Sequence, residues 1–120
     1  MTDGTSLEPA RDPQDLERFL VARQRVGNID GMMVLFEADA VVDLGGGRIL
    51  RGAAACRTYY EELKVSGHKF AMGEQRPALI NGDLALTSTK LRDGQITSEV
   101  ARRQPDGTWK WIIDRYSVAW

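Results

Sequence analysis

From Asn81 to Gly107 the chain reads NGDLALTSTKLRDGQITSEVARRQPDG, and this stretch decides the fold. Three turn dipeptides, Asn81-Gly82, Asp93-Gly94 and Asp106-Gly107, stand at near-equal intervals with strand-forming runs between them. Asn-Gly and Asp-Gly tolerate the positive φ angles of tight type I′ hairpin turns. Four antiparallel strands, roughly 68–80, 83–92, 95–104 and 108–118, are therefore expected as a meander. If each dipeptide is a two-residue loop, cross-strand partners can be counted outward from each turn. One row then crosses the sheet as Gln75, Ser88, Glu99 and Asp114. On the same face lie Pro77, Leu86, Ala101 and Ile112 to one side, and Gly73, Lys90, Thr97 and Tyr116 to the other. Opposed like charges destabilise a strand pair, so Glu99 beside Asp114 calls for solvent, a cation, or a shared proton with one pKa raised. A raised carboxyl pKa is what general acid chemistry uses near neutral pH. The other face carries Glu74, Thr89, Ser98 and Arg115, and comparable apolar content on both faces leaves the inner one undecided.

Working back from the meander, the first half of the chain reads as helices around one strand. Asp12 followed by Pro13 supplies an N-cap and a first-turn proline, with Leu16, Phe19, Leu20 and Arg23 at helical spacing after them. Gly27 breaks that pattern, and Asn28 caps a short second helix running through Met32, Met33, Leu35 and Phe36. Ala40 to Leu44 is a short valine-rich strand that stops at Gly45-Gly46-Gly47. No Lys, Ser or Thr follows those glycines in the phosphate-loop arrangement, so they read as a turn and no cofactor is implied. Gly52 to Lys64 has the formers and the repeat of a third helix. Residues 1–11 lack periodicity and are expected to fray, leaving 12–120 as a single domain. The order α-α-β-α-β-β-β-β is an α+β architecture with the helices gathered on one face of a mainly antiparallel sheet.

Composition removes several function classes. Sixteen Lys and Arg balance 17 Asp and Glu without a basic stripe, so neither nucleic acid nor an anionic membrane is an implied partner. Cys56 is the single cysteine and His68 the single histidine, which leaves no disulfide and no zinc ligand set. No run of about 18 apolar residues and no apolar leader occurs, so a cytoplasmic location is expected. Cys56 reads as a small buried apolar residue, His68 as an exposed loop position, and Arg102 and Arg103 as solvated. Trp109, Trp111 and Trp120 read as core or interface packing.

Gly27-Asn28-Ile29-Asp30-Gly31-Met32-Met33-Val34-Leu35-Phe36, Asp39-Ala40-Val41-Val42-Asp43, Arg51-Gly52 and Asp106-Gly107-Thr108-Trp109 together resemble the NTF2-like superfamily, in particular its SnoaL-like and ketosteroid-isomerase-like small domains. The resemblance covers about residues 13 to 118 and marks the fold better than the activity, since the superfamily includes isomerases, cyclases, dehydratases and domains that only bind or assemble. It implies a cone in which three helices close over the concave face of a strongly curved sheet and leave a pocket. The polar row would then face inward, bringing Gln75, Ser88 and Ala101 to the pocket side. Glu99 falls at the position of the isomerases' substrate-oxygen acid, Tyr60 matches a pocket tyrosine, and Ile112, Asp114 and Tyr116 would line the pocket. Two departures stand out. The isomerase base falls on Leu44, with Asp43 one position off, and the oxyanion tyrosine of the first helix falls on Phe19 or Leu20. A proton shuttle of that design cannot run without its base and principal donor.

Three readings follow. In the first, Glu99 and Asp114 act as acid and base, helped by Tyr60, on a small, largely apolar carbonyl compound in an isomerase, cyclase or dehydratase step. In the second, the same pocket, with Phe19, Leu20 and Leu44 in its wall, binds a small ligand, neutral or cationic, without turnover, the carboxylates serving as counter-charges. In the third, the outer sheet face, with Trp111, Ile113, Val100 and Ile96, is an assembly surface. A homodimer is expected under all three, because an outer face with apolar residues needs a cover.

Overall fold

A computed structural model describes residues 3–119 of the chain; Trp120 lies outside them. Asp12 accepts the Gln14 amide at 2.8 Å, and the first regular helix, α1, follows at Asp15–Arg25. Its acidic first turn (Asp15, Glu17) and basic last turn (Arg23, Arg25) both complement the helix dipole. Asn28 caps α2, Ile29–Met33, accepting the Gly31 amide at 3.0 Å. Phe36, expected to end that helix, instead opens β1, Phe36–Asp43, where it pairs with Trp111. Gly45, Gly46 and Gly47 all have positive φ and turn the chain into β2, Ile49–Arg51, a strand the sequence reading did not anticipate. The third helix, α3, runs Ala53–Ser66 and ends on Gly67 in the left-handed conformation.

Next come β3 (Glu74–Gln75), β4 (Leu79–Asn81), β5 (Leu84–Thr87), β6 (Thr89–Lys90), β7 (Ser98–Arg103) and β8 (Trp109–Arg115). Six strands form one sheet in the order β2-β1-β8-β7-β5-β4, and β3 pairs with β6 in a separate ladder. Within the large sheet only β1 and β8 run parallel. The long first strand expected over 68–80 is thus two short pieces on different ladders, and Pro77, which cannot donate to a ladder, lies between them.

The register corrects the row-by-row reading. Leu91 N–H bonds to Gln95 O and Gln104 N–H to Thr108 O, so the loops at Gly94 and Gly107 hold three residues, each ending in a positive-φ glycine. The extra loop residue moves the preceding strand by one position. Thr87, not Ser88, stands opposite Glu99; Ala85, not Leu86, opposes Ala101; and Leu86 points outward. In the last hairpin the same offset is cancelled by a bulge between Val100 and Ala101, so Glu99 does pair with Asp114. Below the bulge Ala101 faces Trp111 rather than Ile112. Trp111, assigned above to the outer face, is therefore 1% exposed and stacks in the core with Phe36, ring centres 5.4 Å apart.

Leu16 and Leu20 of α1, Met32, Leu35, Cys56, Ala85, Ala101 and both described tryptophans complete that core. The segment expected to fray lies against α1 from Asp3 onward. The fully buried Arg23 donates to the carbonyls of Asp3, Glu8 and Gly31 at 3.1, 2.7 and 2.8 Å, and Ala10 bridges to Trp109. Among the described residues no helix is long and apolar enough to cross a membrane.

Candidate functional site: a cavity with inner carboxyl groups

Between the helices and the sheet lies a cavity of about 240 Å³. The sheet contributes Val42, Glu99 and Asp114, and Leu44, Thr97 and Tyr116 adjoin its strand ends; α1 contributes Glu17 and Leu20; α3 contributes Tyr59 and Tyr60. Phe70 and Ala71 continue the wall, and His68, Lys69, Arg92 and Asp93 come from the segments after α3 and between β6 and β7.

Alternation along β7 and β8 brings Glu99 and Asp114 side by side on the inner face. Glu99 is 3% exposed and is held by a short relay: the Trp111 indole N–H donates to the Thr87 hydroxyl (3.2 Å), which donates to Glu99 Oε1 (2.7 Å). Burial raises the Glu99 pKa, while hydrogen bonds from Thr97 and Thr87 pull it back. Asp114 accepts no hydrogen bond among the described residues, and burial followed by the charges of Glu99, Glu17 and Asp43 drives its pKa well above the ordinary carboxyl value. The two environments therefore differ in kind: one carboxyl is held by hydroxyl donors, the other is repelled from ionising by its neighbours. Tyr60, 5% exposed, turns its phenol into the cavity without a hydrogen-bond partner, and burial and Asp114 hold it in the protonated form.

Of the residues singled out in the sequence, Glu99, Asp114, Tyr60, Leu20, Leu44 and Tyr116 line this one cavity. The others stand elsewhere. Phe19 packs under the Arg18 and Arg23 guanidiniums, at 4.8 and 4.6 Å from its ring centre. Gln75 accepts from Gln14 Nε2 at 2.7 Å and Ser88 donates to the Thr97 carbonyl at 2.7 Å. Ala101 is in the packed core, and Ile112 is the residue without a partner at the bulge. Asp43, beside the cavity-lining Leu44, pairs with Arg115 at 3.2 Å.

Sequence reasoning missed Glu17. Desolvation, then the charge of Glu99, raises its pKa from 4.5 to about 7. The available signal was its spacing: Glu17 stands three residues before Leu20 and seven before the buried Gln24, on the face α1 turns inward. An acidic residue in the first turn of a helix is normally read as a dipole partner, which hid this. Among the described residues no three His, Cys, Asp or Glu side chains are grouped to hold a metal ion.

No protein-family model matches the sequence, and no curated protein is significantly similar to it. Solved structures match in shape. A ketosteroid isomerase-like protein from Erwinia carotovora atroseptica superposes with a TM-score of 0.68 at 13% identity, over 88% of this chain and 93% of that one. A protein of unknown function from Mycobacterium tuberculosis gives 0.69 at 17% identity over 85% of this chain, which spans 66% of that protein's length. An NTF2-like protein with a cystatin-like fold from Novosphingobium aromaticivorans gives 0.59 at 16% identity, over 84% and 75% of the two chains. Three helices packed on a largely antiparallel six-stranded sheet, matched by these structures across most of its length, give this chain the NTF2-like fold.

Proposed function

We propose that this chain uses its cavity for acid–base chemistry on a small, largely apolar carbonyl compound, in a step of the isomerase, cyclase or dehydratase kind. The observation that carries the reading is the unequal pair, Glu99 and Asp114, opening into one cavity with the unpartnered phenol of Tyr60. Adjacent carboxyls whose environments separate their pKa values divide into an acid and a base. The electrostatics favour a division opposite to the one expected from the sequence. Asp114, with no hydrogen bond among the described residues to hold its charge, keeps its proton and with Tyr60 donates to the carbonyl oxygen; Glu99, to which the Thr87 hydroxyl donates, is the carboxylate that takes a proton from the adjacent carbon. The proton passes to Glu99 while the developing enolate oxygen is held by two donors. The same proton returns to a different carbon in an isomerisation, or to solvent in an exchange.

Exchange with solvent is the partial reaction common to these outcomes and needs no knowledge of the natural substrate. Cyclohexanone and cyclohex-2-enone in deuterated buffer, followed by proton NMR, are expected to lose α-proton signal faster with the protein than with its Glu99→Gln variant. Equal rates for the two proteins, each folded by circular dichroism, would leave the cavity a binding site and end the catalytic reading.

An assembly role is favoured by a separate observation. Leu84, Leu86, Ile96 and Ile113 are 43–53% exposed on or beside the outer face of the sheet. Such a face fits a second copy of the chain covering the first. Light scattering of the wild type at high micromolar concentration is expected to give a dimer that Ile113→Lys converts to monomer; a monomeric wild type refutes this.

A further inference from the structure

Outside the pair already assigned roles, the cavity contains a charge problem that a neutral ligand leaves in place. Glu17, Glu99 and Asp114 reach it from three elements, and among the described residues none of them forms an ion pair with a basic side chain. Of the basic groups in the lining, Lys69 donates its ammonium to the Arg25 carbonyl at 2.8 Å, and His68 and Arg92 are exposed at the solvent end. Charge at that end is screened by water. What acts on the three carboxyls is burial and mutual repulsion, with Asp43 adding to the repulsion on Asp114. Ionising buried carboxyls without a partner is costly, and a cation brought beside them would relieve that cost.

The shape of the space restricts what could supply that charge. No three of the described acidic, His or Cys side chains are grouped to chelate a metal. The walls between the carboxyls are aromatic, from Tyr59, Tyr60, Phe70 and Tyr116. Aromatic faces beside carboxylates are how proteins hold organic ammonium ions, the ring quadrupole adding to the ionic attraction. Tyr60 supplies an independent pointer to a ligand, since this side chain, 5% exposed, lines the cavity and its hydroxyl has no hydrogen-bond partner among the described residues. An engineered cavity of about 150 Å³ holds benzene, so about 240 Å³ accommodates one ring with a short side chain.

We infer that the carbonyl compound also carries an amine, bound as its ammonium ion with the nitrogen facing Glu17 and Glu99 and the apolar body against Tyr60, Phe70 and Tyr116. The inference rests on reading the cavity as a small-molecule site and adds the ligand's charge. Glu17 is the selective element: it stands across the cavity from the sheet pair and supplies negative charge that chemistry at a carbonyl does not use. Binding releases a proton from the carboxyl cluster, so affinity climbs as pH rises toward the titration of Glu17 at about 7, while the amine remains charged throughout.

The test is calorimetry with 2-phenylethylamine and its neutral counterpart 2-phenylethanol at pH 5.5, 6.5 and 7.5. The amine is expected to bind at least tenfold more tightly than the alcohol at pH 7.5, and to weaken by up to about tenfold per pH unit below 7, the limit for release of one proton. Glu17→Gln is expected to lower amine affinity about tenfold and to leave the alcohol within twofold. Should that variant fail to fold, Glu99→Gln is measured with the same expectation. Equal binding of the two probes, or an amine affinity that neither pH nor the variant alters, overturns the inference while the cavity stands as a small-molecule site. Failure of both probes to bind at millimolar concentration overturns the inference and removes this support from the small-molecule reading; the α-proton exchange assay judges catalysis separately.

Discussion

Replacing Glu17 with glutamine should stabilise the protein, and only on the alkaline side. Glutamine keeps the shape of the side chain and removes its charge. In the unfolded chain the Glu17 carboxyl titrates near 4.5, and in the folded protein burial and Glu99 raise that to about 7. A group whose folded pKa is raised binds its proton more tightly in the native state, so its contribution to stability falls as pH climbs from the unfolded value to the folded one and stays low above it. The rise corresponds to about 3 kcal/mol, lost between about pH 4.5 and 7. Glu17→Gln should therefore match the wild type to within about 1 kcal/mol at pH 5 and exceed it by about 3 kcal/mol at pH 8.5. Relief of Asp114, on which the Glu17 charge also acts, adds to the gain in the same direction. Urea unfolding at half-unit pH intervals measures the difference directly, and near pH 8.5 the melting temperature should rise by roughly 10 °C. A stability difference that stays constant from pH 5 to 8.5 would refute the reasoning, because it would mean that Glu17 is solvated and titrates normally in the folded state.

Other parts of the site and fold can be probed in the same way. Thr87→Val removes the hydroxyl that links the Trp111 indole to Glu99, and should cost about 2–3 kcal/mol by leaving a buried N–H unpaired. Glu99 should also titrate higher in carbon-13 NMR; an unmoved Glu99 titration would show that this relay does not hold it down. Gly31→Ala puts a Cβ 2.4 Å from Asn28 Nδ2, 2.5 Å from the Ser6 carbonyl and 2.9 Å from Arg23 Cδ, so overpacking should cost about 1–3 kcal/mol. Because Arg23 and Asn28 also anchor the segment from Asp3 to Glu8, amide exchange there should accelerate ahead of the core. Uniform acceleration across the chain would mean that this segment is not a separately anchored unit.

The sequence by itself determined the α+β class, the order of the three helices around the first strand, and the hairpin partnership of the last two strands. These depend on local signals: the turn glycines, the asparagine cap at Asn28, and the alternation of side chains along β7 and β8. Local signals also left errors of a single position. A dipeptide such as Asp93-Gly94 is compatible with a two- or a three-residue loop, and the choice depends on the twist of the flanking strands and their packing. That one residue turned Thr87 inward in place of Ser88; the bulge at Ile112, equally invisible along the chain, turned Trp111 inward and restored the carboxyl pair. The parallel pairing of β1 with β8 joins residues more than seventy positions apart, and no local pattern announces it. Glu17 shows the same limit at the site. Its sequence neighbours mark it as a helix-start carboxylate, and only the closing of α1 over β7 and β8 buries it beside Glu99 and Asp114. Charge state depends on what surrounds a group in space, so the chemistry of this cavity was decided by the tertiary structure.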